Sequence, residues 1–146
     1  MTEHIKAILT KFVEKLFDLD KLKFDKIQIR MDVIENMRDL SRQCYPKEFL
    51  GFLEGKIENN VLIIDKLMYQ EFISNEYSAM PIFHFPQTFY GSAHSHPSNN
   101  NRPSNEDRQF FRKVGIINII ICSPFGINNI RYYNHNGEEI NIEIID

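Results

Sequence analysis

Apolar residues recur at helical spacing near the start of the chain. Ile5, Ile8, Leu9, Phe12, Val13, Leu16 and Phe17 fall on one face of residues 2–19, and Thr2 with Glu3 suits the first turn. The period then changes. Lys26–Met31 alternates apolar and polar positions, which predicts a half-buried strand. Asp32 is placed to cap a second helix whose Val33, Ile34, Met37 and Leu40 share a face and which must stop before Pro46. Phe49–Ile57 and Val61–Tyr69 read as strands joined by a tight turn at Glu58-Asn59-Asn60. Residues 71–88 carry Pro81, Pro86 and several aromatics, keep no period, and read as a loop able to shape a groove.

Beyond that loop the pattern is clearer. Thr88–Ser95 reads as a strand and Pro97–Pro103 as a polar loop, and Ser104 opens a helix that runs to about Val114 and stops at Gly115. Ile116–Ser123 is too apolar for a surface strand and belongs inside a sheet. Ile127–Tyr133 and Glu139–Ile144 are expected to close the chain as a hairpin around Asn134-His135-Asn136-Gly137. Repeats, linkers and low-complexity tracts are absent from the sequence, so the mixture predicts one α/β (α+β) domain on a mixed sheet.

Composition narrows the class. With 146 residues, 42% hydrophobic and 25% charged, the chain is long enough to bury its own core. Its 17 basic and 20 acidic residues give a net charge of −3 with no long Lys/Arg run, which speaks against a nucleic-acid partner. Cys44 and Cys122 lie far apart and form no CxxC, as expected of a reduced, cytoplasmic protein. No signal-peptide core or apolar run of membrane length interrupts the sequence, so no membrane partner is expected.

One segment carries chemistry: Gly91-Ser-Ala-His94-Ser95-His96-Pro97, followed by Pro103-Ser104-Asn105-Glu106-Asp107. On a strand, His94 and His96 point to the same face, close enough to ligate one ion. Asp107 falls in the first turn of the next helix. Two imidazoles and a carboxylate leave a fourth tetrahedral position for water, the composition of a catalytic zinc site. Each part has a plainer reading: His-x-His also suits a hydrogen-bonded pair at a sheet end, and Ser104-x-x-Asp107 suits a helix cap. A cap would also help to hold Asp107. HExxH is absent, two isolated cysteines cannot supply a PCxxC zinc site, Pro97-Ser98-Asn99 replaces the end of an HxHxDH motif, and the chain is too short for an amidohydrolase barrel. His84 is expected to face solvent or pack within the aromatic loop, His135 to sit in a hairpin turn and His4 on the polar side of the first helix. Both cysteines are expected to be buried thiols.

The whole string His94-Ser95-His96, seven residues, Ser104, two residues, Asp107 resembles the motif of the JAMM (MPN+) zinc metalloprotease family without a gap. Pro46-Lys47-Glu48, leading into Phe49-Leu50-Gly51-Phe52-Leu53-Glu54-Gly55, is similar to the family's upstream glutamate segment, and the apolar run that ends at Pro124 is similar to a later strand. The resemblance covers about residues 26–146 and implies a cytidine-deaminase-like MPN domain, assigned to residues 23–146, with a mixed curved sheet flanked by helices. It does not cover the first helix, which its own period sets apart as an N-terminal helical extension over residues 1–22. It implies one zinc held by His94, His96 and Asp107, Glu48 as general base and then acid, and Ser104 as hydrogen-bond donor to the oxyanion. Ser95 faces the other way and is expected to pack or make a supporting contact.

The expected activity is hydrolysis of the bond after the C-terminal Gly-Gly of a ubiquitin-like protein. Such an extended tail can add to a sheet edge, for which residues 71–90 are the candidate. Only 39 residues follow Asp107 and the interval from Glu48 to His94 is short, which suggests a compact prokaryotic, archaeal stand-alone member. Two other readings stay open: a processing peptidase that trims a sulfur-carrier protein, and a non-catalytic scaffold or binding module. The apolar face of the first helix is expected to pack on its own domain or on a second copy, giving a monomer or a homodimer.

Overall fold

A computed structural model describes residues 23–69 and 89–146. The first amphipathic helix, the aromatic loop, His4 and His84 lie outside the described residues. The chain enters at β1 (Lys26–Arg30) and passes directly into α1 (Met31–Cys44). α1 begins earlier than expected. Arg30, in extended conformation, holds the N-cap position without a side-chain cap, and Asp32 lies inside the first turn. Asp32 does not cap the helix; its carboxylate is drawn back to the Arg30 guanidinium at 3.1–3.2 Å. Val33, Ile34 and Met37 are buried as the spacing predicts, Leu40 is half-buried, and Ser41 is buried by donating its hydroxyl to the Met37 carbonyl at 2.7 Å.

β2 (Leu50–Glu58) and β3 (Val61–Tyr69) form the expected antiparallel pair. Asn59 and Asn60 both take positive φ, the requirement of a type I′ turn whose twist suits a hairpin. β4 (Phe89–His96) then runs antiparallel to β2 on one side and parallel to β5 (Ile117–Cys122) on the other. Between β4 and β5 lies α2 (Asn105–Val114). β6 (Ile130–Tyr133) pairs with β5, and β7 (Glu143–Ile145) completes a seven-stranded sheet of order β6-β5-β4-β2-β3-β1-β7.

The last two strands are not the predicted hairpin. Ile127–Asn129 is a turn of 3₁₀ helix, and the returning chain pairs with β6 only briefly. The pairing consists of the bridge of Tyr133 with Glu139, the Ile140 N–H donating to the Tyr132 carbonyl at 2.9 Å, and an Arg131–Glu139 ion pair. β7 instead crosses to the far edge and lies parallel to β1, from Gln28 opposite Glu143 to Arg30 opposite Ile145. The reason is apolar burial. Ile140, Ile142 and Ile144 alternate as a strand should, but they pack against the core under α1, which a simple hairpin beside β6 would leave uncovered. Lys26 and Glu143 pair across the new edge.

Both faces of the sheet are covered, which explains why β4 and β5 lack alternation. On one face α1 packs over Ile29, Leu53, Leu62, Ile64, Ala93, Ile119 and Ile121, with Phe49 in the same cluster. On the other, Phe110, Phe111 and Val114 of α2 pack over Leu50, Phe52, Phe89 and Ile120, with Tyr133 beside them. Burying such side chains stabilises by about 1.5–3 kcal/mol each, so α2 is fixed on the sheet mainly by its apolar face. Gly115 ends α2 as expected, for a different reason. Its φ of 175° needs no left-handed freedom, but a Cβ there would lie 2.4 Å from the Cα of Gly91. The glycine at 115 lets the end of α2 press onto β4, while a Cβ at Gly91 would run into the Ile117 carbonyl of β5.

At the other end of β4 the register is locked by a side chain. Ser95 N–H donates to the Phe49 carbonyl at 3.1 Å, and the Phe49 N–H donates to Ser95 Oγ at 2.9 Å. Both residues are buried. Ser95→Ala strands the Phe49 N–H and is expected to cost about 1–3 kcal/mol, read as a lowered denaturation midpoint at unchanged slope; an unaltered midpoint would remove Ser95 from the register lock.

Candidate metal centre

The two-residue period of β4 puts His94 and His96 on the face that α2 covers. Leu50 of β2 stands directly opposite His94. The His94 side chain is fully buried, with its ring 6.1 Å from that of Phe111, whereas the His96 side chain keeps 13% of its exposure. The pair therefore has one inner and one outer imidazole.

Asp107 reaches them from α2. Ser104 is the N-cap: its Oγ accepts from the Asp107 N–H at 3.1 Å, and Asp107 Oδ2 accepts from the Ser104 N–H at 2.9 Å. This is a reciprocal capping box, and it coexists with a second use of the same carboxylate. Asp107 Oδ1 lies 3.2 Å from His94 Nε2 and Oδ2 lies 3.1 Å from His96 Nε2, while the two Nε2 atoms are 3.1 Å apart. The Asp107 side chain is fully buried.

These separations suit an ion. A tetrahedral zinc with bonds of about 2.0–2.1 Å spaces its donors by about 3.3 Å, close to the 3.1–3.2 Å found here. One ligand atom from each residue lies within 4.8 Å of the others. The tautomer fits as well. His96 Nδ1 is 2.8 Å from the Asn100 carbonyl, which can only accept, so Nδ1 carries the hydrogen and the neutral ring turns its Nε2 lone pair inward. Burial pulls the His96 pKa down, but the hydrogen bonds to Asp107 and the Asn100 carbonyl, with the charges of Asp107 and Glu48, outweigh it and the net shift is upward. A site that draws a proton onto an imidazole is one where positive charge is favoured.

Glu48 enters through the sheet. Leu50 pairs with His94 and Phe49 is bonded to Ser95, so Glu48 lies just before the strand that flanks the histidines. Glu48 is half-buried, and its charge is felt at His96. Ser95 points to the α1 face, as expected, and its hydroxyl is what anchors the backbone beside Glu48. Ser104 is exposed; its Oγ accepts within the cap, which leaves the hydroxyl hydrogen available to a neighbour.

The structure thus brings His94, His96 and Asp107 together, with Ser104 capping the helix that carries Asp107 and the charge of Glu48 acting on His96. The supporting Asn100 carbonyl has no signal in the sequence, because a backbone acceptor has no residue-type signature. His135 is exposed in its turn. Cys122 is buried as expected, but Cys44 is only half-buried, its Sγ 3.4 Å from the Tyr69 hydroxyl, and both thiols are free. Of the candidate edge segment, residues 71–90, only Phe89 and Tyr90 are described, and they lie in β4, in keeping with the strand read over Thr88–Ser95. Among the described residues no helix is long and apolar enough to cross a membrane.

Comparison with known proteins agrees with the geometry. Residues 31–134 match the family described as prokaryotic homologs of the JAB domain. A probable metalloprotease of Haloferax volcanii is 29% identical over 130 residues, which span 82% of this chain and 80% of that protein. A JAB1/MPN domain protein from Archaeoglobus fulgidus superposes with a TM-score of 0.66 at 30% identity, over 82% of this chain and 99% of the other. A second solved structure, described as a JAMM metalloprotease-like zinc site in the proteasome and signalosome, superposes at 0.65 with 28% identity, over 84% and 100% of the two chains. With the fold, the His-His-Asp group and a match over most of its length in agreement, the chain belongs to the prokaryotic branch of the JAB (JAMM/MPN) family.

Proposed function

We propose that the protein is a zinc-dependent peptidase that hydrolyses the bond after the C-terminal Gly-Gly of a ubiquitin-like protein joined to an amine. The observation that carries this reading is the convergence of three buried or half-buried donors, His94, His96 and Asp107, with the charge of Glu48 acting on His96. The relatives support a metalloprotease-like enzyme, and the choice of substrate rests on the family resemblance of the motif.

His94, His96 and Asp107 would hold the ion, which when bound supplies Lewis acidity and brings the pKa of a coordinated water from about 15.7 to about 7. Glu48 takes the proton of the attacking water and returns it to the leaving amine. Ser104 turns its hydroxyl hydrogen toward the carbonyl oxygen as negative charge develops there. Asp107 cannot swing away during these steps, because the Ser104 N–H holds its Oδ2. The Asn100 carbonyl keeps the His96 proton on Nδ1, away from the reacting side. A tail ending in two glycines suits the site, since it can pass close to the backbone with no side chain to accommodate. A sulfur-carrier precursor would present the same tail on a linear peptide bond, so the two substrates differ only in the leaving amine.

Purified protein is expected to carry about one zinc per chain by elemental analysis, and His94→Ala or Asp107→Ala to lose it. Glu48→Gln should keep the zinc and slow hydrolysis by roughly 10²–10⁴-fold; full activity in that variant would exclude Glu48 as the base. A lysine-linked conjugate and a linear fusion of one ubiquitin-like protein, assayed side by side with and without chelator, separate isopeptidase from processing peptidase. Cleavage of neither by the zinc-loaded protein would leave the binding-module reading.

A further inference from the structure

The loop over residues 97–103 joins His96 to the helix that carries Asp107, and its sequence, Pro-Ser-Asn-Asn-Asn-Arg-Pro, offers no large apolar side chain to bury. Hydrogen bonds must give it its shape. Two are local: the Asn100 N–H donates to Ser98 Oγ at 3.3 Å and the Arg102 N–H to Asn100 Oδ1 at 2.9 Å. Three reach distant parts of the chain. Ser123 N–H donates to the Ser98 carbonyl at 3.0 Å, Asn101 Nδ2 to the Asn129 carbonyl at 3.1 Å, and the Tyr133 hydroxyl to the Asn101 carbonyl at 2.8 Å.

The neighbouring carbonyls of Asn100 and Asn101 therefore have separate duties. The first accepts from His96 Nδ1 and sets the ring; the second is pinned by Tyr133. Tyr133 is only 4% exposed, and its ring stacks on Phe111 at 6.1 Å, which in turn stands 6.1 Å from His94. One β6 side chain thus braces the outer imidazole through the loop and the inner one through the core. Burial, with the Glu139 charge, pushes the phenol pKa up, which keeps its hydrogen on the oxygen near neutral pH.

We infer that Tyr133 is a positioning residue for the metal centre, and that with Asn101 it clamps the loop so that the Asn100 carbonyl holds His96 in its ligating orientation. Tyr133 acts by limiting how far His96 can turn. The inference rests on the metal-binding reading given above. Loss of a hydrogen bond that orients a ligand lowers metal affinity by roughly 10–100-fold in comparable sites.

The test measures zinc affinity by chelator competition and the visible absorption of the cobalt(II) form, which reports ligand geometry, on the full-length chain. Tyr133→Phe keeps the buried ring and removes the one donor. It is expected to bind zinc about tenfold or more weakly and to shift the cobalt bands, whereas a hydroxyl serving only stability would lower the melting temperature of the metal-free protein and leave both readouts alone. Asn101→Ala cuts the second arm of the clamp and is expected to do the same; it decides the matter if Tyr133→Phe does not fold. Wild-type affinity and cobalt bands in the folded variants overturn the clamp while leaving the metal centre standing. A wild-type protein that takes up no zinc overturns the metal centre itself.

Discussion

Two imidazole nitrogens and a carboxylate meet at 3.1–3.2 Å inside the protein, with His94 and Asp107 fully buried. That meeting is the costly interaction on which the rest of the structure depends. Desolvating an anion is unfavourable by several kcal/mol unless positive charge or hydrogen bonds replace the lost water. The surrounding scaffold must therefore hold the three groups together rather than let them separate into solvent. The upward shift of the His96 pKa is the electrical sign of the same constraint.

The scaffold meets it by covering β4 on every side. β2 and β5 pair with its edges, and α1 and α2 cover its faces, so His94 has no route outward. α2 docks through Phe110, Phe111 and Val114, and its first turn is then fixed by the Ser104–Asp107 capping box. The close approach of Gly91 and Gly115 sets how near the far end of α2 comes to the strand. Apolar burial supplies the energy, and a few hydrogen bonds supply the aim. The reciprocal cap makes one carboxylate serve both the helix and the site, so neither role can be altered alone.

Much of the site was legible because its parts are close in sequence and each element is regular. His94-x-His96 is a same-face pair on any strand. Ser104 and Asp107 sit one helical turn apart, and the segment from Glu48 to Gly55 shows its burial on both faces. The errors share a cause. Asp32 suits a cap by local preference, but Arg30 supplies its partner and the helix begins from the strand itself. The terminal hairpin was expected from a turn signal and alternating isoleucines, yet that alternation is equally satisfied across the sheet, where the α1 core needed covering. Tyr133, read simply as a strand residue, reaches a carbonyl 32 positions away.

The sequence by itself determined the periods of the elements, the two-faced burial of the central strands and the chemical identity of a His-His-Asp group with a nearby glutamate. Those follow from side-chain type and spacing over a few residues, where backbone geometry leaves little choice. Tertiary structure alone decided which strand closes which edge, that the charge of Glu48 reaches His96, and which distant hydroxyl and carbonyl hold the metal loop. Those depend on apolar area and hydrogen bonds shared between remote segments, and no local pattern carries that information.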